Sequence, residues 1–343
     1  MTFTKATYHK LIGPDGQPQY GCFSTPFTEI NHQDFDYHTT SDRPAKLWQK
    51  HFHYKQFQFI GLNSAQYSLA CAIANVKYAA TAFVYLYDHK TKQLTSHSFV
   101  QPLGMQCKLS NKPYSGRSYF KKGKNHFDIV ALEQRKGYNL EVHLDNIHID
   151  ITIQEPEHFQ PLCLCTKTGF NGWSYTQKAC ALKCSGLISW GSKNIAVEAA
   201  HFLGNYDWSC GFMRRQTAWN WASFSGFAND TPIGLNLAAG VNETGFTENA
   251  FWANGQLHRL PQPLFQYQRH NRLANWVIAS ENRHIELTFT PGAIHSENID
   301  ALIVASNFSQ LPGLFNGSIT TENGQRFQIK DIPGVVEDHY AKW

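Results

Sequence analysis

The sequence predicts a mainly β protein built from two antiparallel β units in tandem, with few short helices. Local patterning is the first reason. Apolar and polar residues alternate with period two, punctuated by Asp15-Gly16, Asn254-Gly255 and Asn323-Gly324, dipeptides that tolerate the positive φ of tight hairpin turns. A register test is the second. In YNLEVHLDNIHIDITI, a two-residue turn at Asp145-Asn146 pairs Leu144 with Ile147, Val142 with Ile149 and Leu140 with Ile151. The same turn sets His143 against His148 and Glu141 against Asp150, so one face is wholly apolar and the other polar, as a strand pair over a core requires. Size is the third: 343 residues exceed a typical single domain, and no fixed-period repeat points to a propeller or solenoid.

In chain order, strands are expected over 56–62, 67–76, 80–87, 94–100 and 127–132, ahead of the hairpin just described. Further strands are expected over 186–190, 195–202, 285–290, 302–308, 318–322 and 325–330. The best helical stretches are 42–49 and the segment after Asp207, to about 221. Around eight strands fall to each half, enough to close into a barrel wide enough for one small ligand. Pro156, Pro161, Gly169, Gly172 and Gly186 interrupt the alternation, so the two domains are expected at 1–185 and 186–343.

Charged residues make up 16%, aromatics 14% and hydrophobics 42%, the values of a folded, strand-rich chain without a disordered tail. The net charge of +4 is spread thinly. Arg117 with Lys121-Lys122-Gly123-Lys124 is the local cluster, read as a solvated loop, with transient contact to phosphate or an anionic membrane surface as the minority reading. Nucleic acid is not an expected partner. The first residues, MTFTKATYHK, lack the apolar stretch of a signal peptide, and no window reaches the length of a membrane-spanning helix. A cytoplasmic location with free thiols is therefore expected. Cys163, Cys165, Cys180 and Cys184 lack the two-residue knuckle spacing of structural zinc and are expected as small buried strand residues. With no P-loop, G-x-G-x-x-G, G-x-S-x-G or H-E-x-x-H, neither a metal nor a cofactor is expected.

Residues 201–260 are chemically the densest part of the chain. Asp207-Trp208, Arg214-Arg215, Trp219-Asn220-Trp221 and Asn242-Glu243-Thr244 mix large aromatics with groups that are costly to bury, as ligand-cavity walls do. An acid such as Asp207 in an aromatic, poorly hydrated wall has its ionised form disfavoured and can donate a proton; the bland alternative is a helix cap or a structural ion pair with Arg214 or Arg215. Trp219 and Trp221 are expected to divide, one lining the site and the other packing the core. Glu243 and Glu248 form a second carboxylate pair, with Glu248 and Trp252 expected on one face of a strand and Asn249 on the other. The C-terminal Glu337, Asp338 and His339 precede Trp343, an end aromatic enough to be tied down and to reach the same cavity.

DWSCGFMRRQTAWNWASFSG, GLNLAAGVNETGFTENAFW and the closing EDHYAKW resemble the defining blocks of the family known as domain of unknown function 2804, over nearly the whole chain. Its motif positions here are Asp207, Trp208, Arg215, Trp219, Asn220, Trp221, Asn236, Asn242, Glu243, Glu248, Trp252, Glu337, Asp338, His339 and Trp343. At the level of fold this family is similar to tandem lipocalin-like (calycin) proteins that include carotenoid hydratases and tocopherol cyclase. The resemblance implies two lipocalin-like antiparallel β-barrel domains and an apolar or isoprenoid ligand. The leading expectation is a cofactor-independent enzyme that protonates a hydrophobic, unsaturated substrate, with hydration, cyclisation or isomerisation following. Asp207, Glu243, Glu248, Asp338 and His339 are the catalytic candidates, and Trp208, Arg215, Trp219, Asn220, Trp221, Asn242 and Trp252 the substrate-binding ones. A non-catalytic carrier of lipid or another small hydrophobic ligand is the rival reading, and a glycan-active protein the third.

Overall fold

The computed structural model describes residues 9–133, 135–242, 245–301 and 304–343. A first antiparallel sheet holds β1 (Gly21–Phe23), β2 (Tyr54–Asn63), β3 (Tyr67–Asn75), β4 (Ala79–Asp88), β5 (Gln93–Pro102), β6 (Cys107–Lys108) and β7 (Arg117–Lys122). It continues through β8 (Asn125–Ala131), β9 (Gly137–Leu144), β10 (Ile147–Gln154), β11 (Leu162–Thr168), β12 (Gly172–Trp190), β13 (Lys193–Val197) and β14 (Leu203–Phe212). The second holds β15 (Gln216–Ala228), β16 (Thr231–Ala239), β17 (Ala250–Ala253), β18 (Gln256–Arg259) and β19 (Pro263–Gln266). It is completed by β20 (Trp276–Ser280), β21 (Ile285–Pro291), β22 (His295–Asp300), β23 (Ala305–Thr320) and β24 (Arg326–Lys342). One short helix, α1 (Leu47–His53), leads into β2.

The first sheet runs β5-β4-β3-β2-β14-β12-β10-β9-β8-β7-β6. It curls until Phe99 of β5 meets Phe120 and Phe127 of β7 and β8, with ring centroids 6.5 and 5.6 Å apart. Alternation decides which side chains go inside. On β3, Leu69, Cys71 and Ile73 point into the curl while Ala70, Ala72 and Ala74 point out; on β4, Ala82, Val84 and Leu86 point in while Thr81, Phe83 and Tyr85 point out. The expected hairpin forms in the expected register, Leu144 with Ile147, Val142 with Ile149 and Leu140 with Ile151, with His143 opposite His148. Trp173, Tyr175, Trp208 and Phe212 fill the interior, so this curl is a packed core.

The second sheet runs β18-β17-β16-β15-β24-β23-β21-β20-β19 and encloses its own apolar cluster around Phe224, Leu235, Trp276, Phe289 and Phe315. Asn254-Gly255 makes the expected two-residue turn between β17 and β18, with φ of 50° and 80°. Two curled antiparallel sheets in tandem, barrel and half-barrel in shape, are thus the fold that the sequence predicts. Three details differ. The helix expected after Asp207 is β14 and β15, because Tyr206, Trp208 and Cys210 enter the core while Asp207 and Ser209 leave it, a period of two. The chain passes between sheets at 213–215, whereas the 185/186 boundary falls inside the continuous strand β12. The strand expected at 302–308 lies partly outside the described residues and otherwise belongs to β23.

The outer faces of the two curls pack together. Gly234 of β16 lies against Cys180 of β12, where an added Cβ would sit 2.4 Å from the Cys180 Cβ. Beside it, a register shift in β12 puts Ala181 at φ 61°. Its N–H is thereby aimed at Ser225 Oγ, 3.0 Å away, and that hydroxyl donates to Gly204 O at 3.0 Å. Asn205 Nδ2 donates to Ser223 Oγ at 2.9 Å. These pins hold the sheets in close contact on one side, and the space beside them is the cavity.

Candidate active site between the sheets

A cavity of about 220 Å³ lies between the sheets, not within either curl. Its floor is the outer face of the first sheet, laid out by strand register in rows. Lys178, Asp207, Phe59, Ala72 and Phe83 form one row across β12, β14, β2, β3 and β4. Thr176, Ser209, Phe57, Ala74 and Thr81 form the next. The alanines of β3 leave the room that larger side chains would fill. The roof is the outer face of the second sheet, where Trp221, Glu337 and Gln310 share a row, followed by Trp219, His339 and Phe308. Phe59 meets Trp221 edge-on at 5.4 Å, which sets the first rows of floor and roof face to face.

Lys178 is the centre of the charged end. Its Nζ lies 2.5 Å from Asp207 Oδ2 and 2.6 Å from Glu248 Oε2, with side-chain exposures of 5% for the lysine, 11% for Asp207 and 3% for Glu248. Burial opposes the Lys178 ammonium, but the two carboxylates outweigh it and hold it above the usual lysine range, so it stays protonated. One ammonium cannot neutralise two buried carboxylates. Burial raises the Glu248 carboxyl, Lys178 lowers it, Asp207 raises it again, and the balance is upward. Asp207 has further partners: Ser209 Oγ at 2.5 Å and Thr176 Oγ1 at 3.3 Å both donate to its Oδ1.

Asn236 positions both the acid and its aromatic neighbour. Its Oδ1 accepts from Trp221 Nε1 at 2.8 Å, and its Nδ2 donates to the Glu248 carbonyl at 2.7 Å. The Trp221 ring also faces a cation, with Lys178 Nζ 5.9 Å from its centroid. Across the cavity Glu337 accepts from Trp219 Nε1 and Gln310 Nε2, each at 2.9 Å, and Gln310 Oε1 accepts from Tyr85 OH at 2.8 Å. His339 Nδ1 is 3.6 Å from Glu337 Oε1, its Nε2 is 3.0 Å from Ser306 Oγ, and Trp219 packs on its ring at 4.2 Å.

The structure brings together Asp207, Glu248, His339, Trp219 and Trp221 around this cavity, with Glu337 and Trp343 from the tail. Both indoles line it, where one was expected in the core, because residues two apart on a strand share a face. The same rule takes Asp338 and Asn220 to the opposite face: Asp338 pairs with Arg272 at 2.7 Å, and Asn220 Nδ2 donates to Tyr267 OH at 3.3 Å. Trp208 is buried in the first core against Tyr175. Trp252 stacks on Phe159 and donates to Gln160 O, away from the cavity; Glu248 precedes β17, so the face it was expected to share with Trp252 does not extend to it. Asn242 contacts Thr166, and Arg215 stands at the 213–215 crossing. Glu243 lies outside the described residues. Lys178, Thr176, Ser209, Gln310 and Tyr85 were not anticipated; the signal for Lys178 was a charge directly before the apolar stretch ACAL.

One family model, that of a domain of unknown function (DUF2804), matches residues 4–343. The chain belongs to the DUF2804 family. Among curated proteins none matches its sequence. Solved structures do share the DUF2804 fold seen here. A provisionally assigned AttH from Nitrosomonas europaea is similar at 12% identity and a TM-score of 0.51, over 88% of this chain and 98% of that one. CghA, solved alone and with Sch210972, is similar at 7% identity and a TM-score of 0.54, over 83% of this chain. It is covered over 87% of its own length in the first structure and 88% in the second. Kievitone hydratase from Nectria haematococca is similar at 11% identity and a TM-score of 0.49, over 83% of this chain and 88% of that one. Among the described residues no helix is long and apolar enough to cross a membrane.

Proposed function

We propose that this protein is a cofactor-independent enzyme that protonates a small, hydrophobic, unsaturated substrate between its two sheets. The observation that carries this is the buried Lys178 shared by Asp207 and Glu248 on the wall of a cavity that Phe59, Phe83, Trp219 and Trp221 also line. Glu248 gives its proton to one carbon of a double bond, leaving positive charge on the neighbouring carbon. Trp219 and Trp221 offer indole faces to that charge, and Glu337 and His339 stand opposite Glu248 as the charge-balancing and proton-accepting side. Attack by water, which then loses a proton to His339 or Glu337, completes a hydration; loss of a neighbouring C–H proton to the same side completes an isomerisation; and attack by a second double bond, followed by such a proton loss from the new cation, completes a cyclisation. Glu248 then regains a proton from water. The carrier reading uses the same lining but gives no role to a protonated acid held against an ammonium–carboxylate pair.

Incubation with ten-carbon isoprenoid acids and alcohols in deuterium oxide, followed by mass spectrometry, tests the proposal. Carbon-bound deuterium should appear in product or recovered substrate, and Glu248→Gln should reduce its rate by about 10²- to 10⁴-fold. Unlabelled compounds recovered throughout, together with a retained ligand in native mass spectrometry, would establish a carrier instead.

A further inference from the structure

The far end of the same cavity has the opposite charge. Lys55 lines it, four residues along β2 from Phe59, the floor residue beside Asp207, so its Cα lies about 13 Å from the acidic row at ~3.3 Å per residue. Two of its three ammonium donors are used, on Phe52 O at 2.5 Å and Val76 O at 2.8 Å. Its ring neighbour is Tyr78, with the centroid 4.9 Å from Nζ. Burial, then the positive charges of Arg215 and Lys77, lower the Lys55 ammonium to about 7. His51 and His53 of α1 complete the basic surroundings, and both are lowered by burial and then by neighbouring cations, Lys55 among them. A buried cation facing a cavity, with a donor left over and cations for neighbours, is a site waiting for an anion.

We infer that the ligand of this cavity carries a carboxylate head group, bound by Lys55, at the end opposite the Glu248 acid. This rests on the acid-chemistry reading for what happens at the other end of the molecule, and not for the binding itself. Size fits as well as charge. A cavity of about 150 Å³ is filled by benzene. About 220 Å³ therefore takes a ligand on the order of ten carbons. An extended chain of that length reaches from Lys55 to the acidic row. The carboxylates Asp207 and Glu337 repel a second anion there, so the ligand enters in one orientation, with its unsaturated tail against Glu248 and the indoles.

The test compares geranate with geraniol on the unmodified protein by titration calorimetry, the two differing only in the head group's oxidation state and charge. At about pH 6, geranate should bind about 10- to 100-fold more tightly, the range of a hydrogen bond to a charged group. That advantage should shrink as pH rises through the Lys55 value and the ammonium discharges, and binding near neutral pH should draw in a proton, seen as a heat that depends on the buffer's ionisation enthalpy. Lys55→Met should remove the preference and Lys55→Arg should keep it. Equal or tighter binding of geraniol by the unmodified protein, or no binding of geranate, overturns the inference. Because the readout is affinity, it separates from the chemistry: tight geranate binding without deuterium incorporation would fell only the proposed function, and labelled geraniol with unbound geranate only the head-group assignment.

Discussion

Lys178 is the residue on which the site depends, and removing it should be more damaging than removing either of its partners. Lys178→Met strands the Asp207 carboxylate beside the Glu248 acid in a buried wall, and breaking a buried pair this way costs about 3–5 kcal/mol. Urea unfolding should show that loss, and adding Asp207→Asn and Glu248→Gln to the same variant should restore most of it. A second buried acid gives an independent check. Glu155 accepts from Tyr114 and Tyr206 inside the first curl, and burial raises its carboxyl above the usual range despite those hydrogen bonds. A raised folded-state value means the folded protein binds the proton more tightly. The stabilisation is complete below the ordinary glutamate range and is lost as pH rises toward the folded value. Glu155→Gln should therefore match wild type at about pH 4 and exceed its Tm at about pH 8. At this scale the sequence exposed Asp207, Glu248, His339, Trp219 and Trp221, because polar groups among aromatics stand out. Lys178 and Lys55 stayed hidden, since a lone lysine in a strand reads as a solvent-facing charge until a second sheet is known to cover that face.

Strand pairs were legible where one face met a core and the other met water. The β9–β10 hairpin is such a case, and its register followed from the Asp145-Asn146 turn and the apolar and polar alternation of both strands. β14 and β15 were not legible as strands, because both of their faces are covered, one by a curl's interior and the other by the opposing sheet, so their alternation is aromatic against polar-but-buried. The residues read as a domain boundary, 185/186, lie within β12 for a related reason. β12 carries a register shift at Ala181 and glycines along its length, and these mark a strand that serves two sheets' contacts and not a linker. The shift and Gly234 set how closely the sheets approach. Gly234→Ala should cost about 1–3 kcal/mol through overpacking against Cys180, read as a lower urea midpoint with an unchanged m-value.

For the molecule as a whole, the cavity belongs to neither curl. Each sheet fills its own interior with large side chains and turns its outer face to the other, so floor and roof exist only when both are folded. A bound ligand should accordingly raise the stability of the whole chain in one transition, by about 2.7 kcal/mol at a hundredfold excess over Kd. The expectation of a barrel holding its ligand inside gave the right class of fold and the wrong place for the cavity, because strand counting cannot say which face of a curl is packed. The proposed chemistry requires Glu248 to be a protonated acid between the sheets at neutral pH. Difference infrared spectroscopy of wild type against Glu248→Gln tests it most directly. A protonated-carboxyl C=O stretch present in wild type, absent from the variant and shifted in deuterium oxide is the expected result, with any Glu155 band surviving in both. Loss of a carboxylate band in its place would contradict it.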